Sequence, residues 1–157
     1  MQKISPMLWF DNQAEEAAEF YVSVFKNSKI LSKSYYQEGG PAPAGSLMIC
    51  HFELEGKEFT ALNAGPMFKF TEAISFVVAC EDQAEIDELW SKLTADGGAD
   101  QPCGWLKDKY GLSWQLTPKT VIDMITDADT EKAKRAFQAV MGMMKIDIAA
   151  VRKAFEG

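Results

Sequence analysis

Apolar residues first gather at 4–10 (Ile-Ser-Pro-Met-Leu-Trp-Phe), a run short enough for a strand, and the run stops at Asp11-Asn12, both good helix N-caps. The period then becomes helical. Ala14, Ala17, Ala18, Tyr21 and Phe25 fall on one stripe, Glu15, Glu16 and Glu19 on another face, and Lys26-Asn27-Ser28 ends the helix. Strands are predicted over 29–37, 46–54 and 57–63. The segment Gly39-Gly40-Pro41-Ala42-Pro43 separates the first two, and Glu55-Gly56 makes the last two a hairpin, because glycine tolerates the positive φ of a tight reversal.

After the loop Gly65-Pro66-Met67-Phe68-Lys69 the same order of elements restarts. A strand over 73–80 leads to a helix that Asp82 caps, with Glu85 placed as in a capping box and Ile86, Leu89, Trp90 and Leu93 as the apolar stripe. Gly97-Gly98 ends that helix. A short irregular segment then leads to strands at about 103–107 and 112–118, joined by Asp108-Lys109-Tyr110-Gly111. Strand, helix and strands thus recur at an offset of about seventy residues, an internal repeat in which each copy completes the other's core. Side-chain identity between the copies is weak, so the repeat rests on element order.

The rest of the chain is predicted helical. Ala133, Ala136, Phe137, Val140, Met141 and Met144 form a stripe that should be buried, and Asp147 caps a last helix with Ile146 and Val151 as a hydrophobic staple and Phe155 further along that face. The expected organisation is one domain over 1–157, with repeat one at about 1–65, repeat two at about 70–118 and the helical tail at about 119–157.

Composition narrows the function. Hydrophobic residues at 47% and charged residues at 25% suit a globular chain of 157 residues with a substantial core. A net charge of -7 and a pI near 4.8 argue against nucleic acid as a partner, since phosphate binding needs clustered Lys and Arg. The first residues lack a long apolar leader, and no stretch approaches the roughly 20 apolar residues of a membrane span. A cytoplasmic location is expected. Cys50, Cys80 and Cys103 are far apart, with no CxxC pair, and read as reduced core residues.

Candidate chemistry is sparse. His51 is the only histidine, hence the only side chain titrating near neutrality in its unperturbed state. It is either a general base or a solvent-facing strand residue beside Glu53, and the want of a visible partner favours the second. No Ser or Cys stands in a nucleophile motif. Glu15, Glu16, Glu19, Asp82, Glu85, Asp87 and Glu88 are spread over solvated helix faces and first turns. Gly39-Gly40 leads into prolines and Gly97-Gly98 closes a helix, so neither is the Gly-rich strand-to-helix turn that usually holds a methyl donor.

Several stretches carry a family resemblance: Leu8-Trp9-Phe10-Asp11-Asn12-Gln13-Ala14-Glu15-Glu16-Ala17, Phe20-Tyr21, Phe59-Thr60-Ala61-Leu62-Asn63, residues 68–76 (Phe-Lys-Phe-Thr-Glu-Ala-Ile-Ser-Phe) and residues 103–115 (Cys-Gly-Trp-Leu-Lys-Asp-Lys-Tyr-Gly-Leu-Ser-Trp-Gln). Together they resemble the vicinal-oxygen-chelate superfamily and, within it, the PhnB-like or 3-demethylubiquinone-9 3-methyltransferase-like family. The resemblance implies an α+β fold of two βαβββ repeats (glyoxalase/dihydroxybiphenyl dioxygenase-like half-barrels) plus C-terminal helices, a small-molecule cavity on the open side of the sheet, and a homodimer.

Metal-dependent branches of the superfamily hold a divalent ion with His, Glu or Gln from the first and last strands of both copies. Here Pro6, Met7 and Leu8 in one first strand and Ala73 and Ile74 in the other cannot ligate it, and Gln115 alone sits where a ligand is expected. No metal and no cofactor are therefore expected. Cavity candidates are Trp9, His51, Asn63, Phe68, Trp105 and Gln115, an apolar lining with a few orienting polar groups. Alternation puts Trp114 and Leu116 on the face opposite Ser113, Gln115 and Thr117, so Trp114 should pack beneath the sheet. Three functions stay open. One is an enzyme acting on a small hydrophobic or carbonyl-containing molecule without a tightly bound metal; the second is a non-catalytic binding protein, as in the sequestering antibiotic-resistance branch; the third is an interaction protein whose cavity is vestigial.

Overall fold

Alternation becomes burial in the first strand. In the computed structural model, which describes residues 2–157, β1 (Met7–Phe10) buries Leu8 and Phe10 and leaves Met7 and Trp9 on the other face. The strand starts at Met7, later than the apolar run suggested, because Pro6 has no N–H for a ladder; its carbonyl instead accepts from Thr60 N–H. Helix α1 (Ala14–Val24) buries Ala14, Ala17, Ala18, Tyr21 and Val24. Neither Asp11 nor Asn12 caps it. The Ala14 N–H donates instead to Asn63 Oδ1, 2.8 Å away and 49 residues along the chain.

Strands β2 (Lys29–Tyr35), β3 (Leu47–Leu54) and β4 (Lys57–Asn63) complete a sheet of order β1-β4-β3-β2, with β1 and β4 parallel and the other pairs antiparallel. Glu55 and Gly56 both have positive φ, 47° and 75°, as a two-residue turn matching the strand twist requires. Phe52 is the centre of this core, stacked on Tyr21 and on Phe59 with centroids 6.3 and 5.4 Å away. Lys33 reaches from β2 to Glu15 and Glu19 of α1 at 2.6 and 3.0 Å, and those two carboxylates raise its ammonium pKa.

The chain divides into two compact units, one up to Lys69 and one from Phe70 onward. In the second unit β5 (Ser75–Cys80), α2 (Gln83–Leu93), β6 (Ala99–Asp100), β7 (Trp105–Lys107) and β8 (Ser113–Pro118) form a sheet of order β5-β8-β7-β6. The order repeats that of the first sheet position by position. Two boundaries differ from expectation. Ala73 and Ile74 lie in a turn before β5, and the segment read as irregular contains β6, paired Ala99 to Lys107 and Asp100 to Leu106. The close approach there needs Gly98: a Cβ would sit 2.6 Å from Thr94 Cα and 2.7 Å from the Lys107 carbonyl oxygen.

Asp82 caps α2 as expected, accepting from Glu85 N–H at 2.9 Å, while the Glu85 carboxylate accepts from Glu81 N–H. Trp114 packs beneath the sheet, as alternation required, and its indole N–H donates to the buried Asp108. The other Asp108 oxygen accepts from the N–H groups of Tyr110 and Leu112, which fixes the turn between β7 and β8.

The tail consists of α3 (Lys119–Ile125), α4 (Thr130–Met141) and α5 (Ile148–Glu156), around a core of Val121, Met124, Ala136, Val140, Ile146 and Val151. The Ile146–Val151 staple is buried as expected. The α4 stripe is only half buried: α3 and α5 pack against Ala136 and Val140, whereas Phe137, Met141 and Met144 are about half exposed, with the Cys103 thiol against the Met141 sulfur. Two backbone bonds, Cys103 N–H to Met143 O and Gly104 N–H to Met144 O, tie the tail to the strand entering β7, and Gln83 bonds Ile146 O and Ile148 N–H.

Candidate functional site

Each sheet has helix packing on one face and leaves the other uncovered within its own unit. Register identifies the uncovered side chains of the first sheet: Met7, Thr60, His51 and Ser32 form one row across β1, β4, β3 and β2, and Trp9, Leu62, Ile49 and Ser34 form the next. His51 Nδ1 lies 3.0 Å from Thr60 Oγ1. The imidazole is therefore not alone. Its partner sits across the β3–β4 ladder, where linear reading of the chain does not place it. His51 is exposed and Thr60 is covered, so the pair offers a hydrogen-bonding imidazole at the surface of an apolar face.

Trp9 stands in the second row. Its indole N–H donates to Gly65 O at 2.8 Å, and the ring of Phe68 meets it edge to face with centroids 4.9 Å apart. With its donor engaged, Trp9 can offer a ligand only its ring. Asn63 belongs elsewhere. It is the register partner of Phe10, on the helix side, and it accepts from Ala14 N–H, donates to Leu47 O and receives Tyr36 O–H at its carbonyl. Trp9, Phe68 and His51 thus share one face of the first unit, and Asn63 serves the opposite face.

On the second sheet the uncovered rows are Ser75, Ser113 and Lys107, then Val77, Gln115 and Trp105. Gln115 and Trp105 are register partners, which brings these two candidates together. The Gln115 amide donates to Ser75 Oγ at 2.8 Å. Val77 is 63% exposed on this row. Lys107 forms an ion pair with Glu72, and that ammonium holds the Glu72 carboxyl below the usual range. Thr60, Ser75, Val77 and Lys107 were missed by sequence reasoning, although strand parity alone could have placed them on these faces; Ser113 was placed on the Gln115 face by alternation but not taken as a candidate.

Neither face fits a divalent metal. The open side of the first and last strands carries Met7, Trp9, Thr60 and Leu62 in one unit and Ser75, Val77, Ser113, Gln115 and Thr117 in the other. Among the described residues no group of three His, Cys, Asp or Glu could hold an ion. A methyl-donor cradle does not fit either, since residues 11–13 and 81–82, which join strand to helix in the two repeats, contain no glycine. The buried thiols are poor nucleophiles, because burial pushes Cys80 up to about 12 and raises Cys50.

A separate cleft of about 570 Å³ lies among the starts of α2, α3 and α5, lined by Asp82, Gln83, Thr120, Asp147, Arg152 and others. Its two aspartates are already engaged as caps, Asp82 to Glu85 N–H and Asp147 to Ala150 N–H. Ile148 and Ala149 add apolar surface to this mixed-charge wall, but no aromatic side chain lines it.

A family model described as 3-demethylubiquinone-9 3-methyltransferase matches residues 2–117. The chain belongs to this family. It is 43% identical to a PhnB protein from Bacillus cereus described by the same methyltransferase name, with a TM-score of 0.68 over 74% of this chain and 99% of that one. A Pseudomonas aeruginosa protein of 19% identity aligns over 75% of this chain and 98% of its own with a TM-score of 0.62. A genomically encoded fosfomycin resistance protein, FosX, from Listeria monocytogenes shares the fold alone, at 12% identity, a TM-score of 0.51, 75% coverage here and 93% there. A search of the curated proteins finds no match.

The protein is thus a PhnB-like member of the 3-demethylubiquinone-9 3-methyltransferase family that shares its fold with FosX. The family match stops at residue 117, where the helical tail begins. Among the described residues no helix is long and apolar enough to cross a membrane.

Proposed function

We propose that this PhnB-like protein holds a small hydrophobic or carbonyl-containing molecule on the uncovered faces of its sheets, as a single-domain cytoplasmic homodimer. The observation that carries this reading is the composition of those faces: aromatic and aliphatic side chains, Trp9, Phe68, Val77 and Trp105, interleaved with hydrogen-bonding groups that can orient a ligand, among them His51–Thr60 and Gln115–Ser75. Ligand sites have this character. Dimer formation is supported by exposed apolar residues outside the ligand faces, such as Ile4, Ile74 and Phe137, which a partner subunit would cover.

Two versions of the reading differ in chemistry. Transformation of the ligand needs an acid or base at the reacting atom, and the His51 imidazole, hydrogen-bonded to Thr60 on the aromatic face, is the side chain placed to serve as one. Sequestration needs none, and it is favoured by the lack of a second titratable side chain paired with that imidazole. The methyltransferase name describes the family, and the absence of a glycine-rich cradle argues against methyl transfer here.

A thermal-shift screen of small oxygen-bearing apolar molecules tests the proposal. Binding to the native state raises the melting temperature. At least one hit is expected, and Val77→Asp, a change at an exposed position, should abolish or weaken it. If every hit survives Val77→Asp and Trp9→Ala unchanged, the uncovered faces are not the site.

A further inference from the structure

On the helix-free face of the second sheet, one polar atom is covered by its neighbours and stands out. Ser113 is fully buried, and its hydroxyl is the one buried side-chain polar atom among the described residues with no hydrogen-bond partner. Buried hydroxyls are nearly always satisfied, so an orphan calls for an explanation. Ser113 opens β8 in the central row Ser75–Ser113–Lys107, on the same face as Gln115 and Trp105. Its neighbour Ser75 uses its oxygen to accept from Gln115, which leaves the Ser75 O–H proton free to donate.

The same row ends in a cation that is already engaged. The Lys107–Glu72 ion pair joins β7 to the turn entering β5, the strands on either side of β8, and the Gln101 side chain also hydrogen-bonds the Glu72 carboxylate. Glu72 is exposed, and an ion pair of this exposure is weakly held. Glu72 therefore occupies Lys107 in the way an incoming anion would, and can be displaced by one.

We propose that Ser113, Ser75 and Lys107 form a subsite for the anionic oxygen of a small organic acid, whose apolar body lies along Val77 and Trp105. The subsite rests on the binding function proposed above and narrows it to ligands with a carboxylate or a comparable oxyanion. Binding would supply Ser113 with its missing acceptor and replace the Glu72 carboxylate on Lys107. The net charge of -7 repels anions at long range, so selection rests on these local donors alone.

The test is an NMR titration of the full-length, isotope-labelled protein with benzoate and, as its uncharged counterpart, benzyl alcohol. Benzoate should bind tighter than benzyl alcohol and shift the amides of Ser113, Gln115 and Trp105. Ser113→Ala should weaken benzoate by about tenfold or more, since a hydrogen bond to a charged group is lost, with benzyl alcohol unaffected. Its melting temperature should be unchanged or higher, because the variant removes an unpaired buried group; a structural hydroxyl would lower it. Glu72→Gln should strengthen benzoate by about threefold, the range of a surface ion pair.

If benzyl alcohol binds on this face as tightly as benzoate, or Glu72→Gln leaves benzoate unchanged or weaker, the anion subsite is wrong while the binding function stands. A clear fall in melting temperature for Ser113→Ala also overturns it. If neither probe shifts these amides, the subsite and the binding role of this face fall together.

Discussion

The two repeats place the same elements in the same strand order, yet each closes its helix onto its sheet by different means. In the first, α1 has no local side-chain cap, and Asn63 at the end of β4 supplies the acceptor while Lys33 bonds the helix from β2. In the second, α2 is capped three residues away by Asp82, and the C-terminal helices bond it through Gln83. The first repeat is thus tied by long-range contacts within itself, and the second by local contacts plus an added module. One fold pattern therefore predicts different weak points in its two copies.

The largest expected effect falls on the added module. Deleting residues 130–157 removes the partners of Val121 and Met124 and of Gln83, and each fully buried large apolar side chain is worth about 2 kcal/mol. The truncated chain should aggregate or change mass by light scattering; an unchanged mass and melting temperature would show that the second repeat does not depend on it. Asp108→Ala comes next, since it strands two backbone N–H groups and the Trp114 indole, and should cost about 3–5 kcal/mol in denaturant unfolding.

Asn63→Ala removes the cap of α1 and the bond to Leu47 O, and should cost about 2–3 kcal/mol. Asp82→Ala, a purely local cap, should cost about 1 kcal/mol. A reversed order for these two would erase the contrast between long-range and local closure. His51→Ala should have the smallest effect on stability, within about 0.5 kcal/mol, because the side chain is exposed. Loss of a measured activity with an unchanged melting curve would instead make His51 the catalytic base.

Periodicity in the sequence was enough to place α1, α2, the hairpin at Glu55-Gly56 and the inward packing of Trp114, because each depends on contacts a few residues apart or on strict strand alternation. It did not reveal the cap of α1, whose acceptor is 49 residues away, or β6, whose two residues are too few to show a period. The tail stripe was over-read for a related reason. Helical spacing marks which side chains share a face, but not whether a neighbour covers all of it, and Phe137, Met141 and Met144 stay half exposed.

For the candidate residues the limit was register. Trp9, His51 and Gln115 were legible as residue types, whereas Thr60 beside His51 and Ser75 beside Gln115 follow only from strand pairing. Asn63 shows the converse. A polar residue at a strand end resembles an orienting group in the sequence, and it turns out to be engaged in three structural hydrogen bonds.

The most direct test of the account is to map by two-dimensional NMR where the strongest thermal-shift hit lands on the full-length protein. The account predicts that amides along an uncovered sheet face move, those of Met7, Trp9 and His51 or of Val77, Trp105 and Gln115, while Asp82, Asp147 and Arg152 around the charged cleft stay still. Shifts confined to that cleft, or to the helix-covered faces of the sheets, would contradict it.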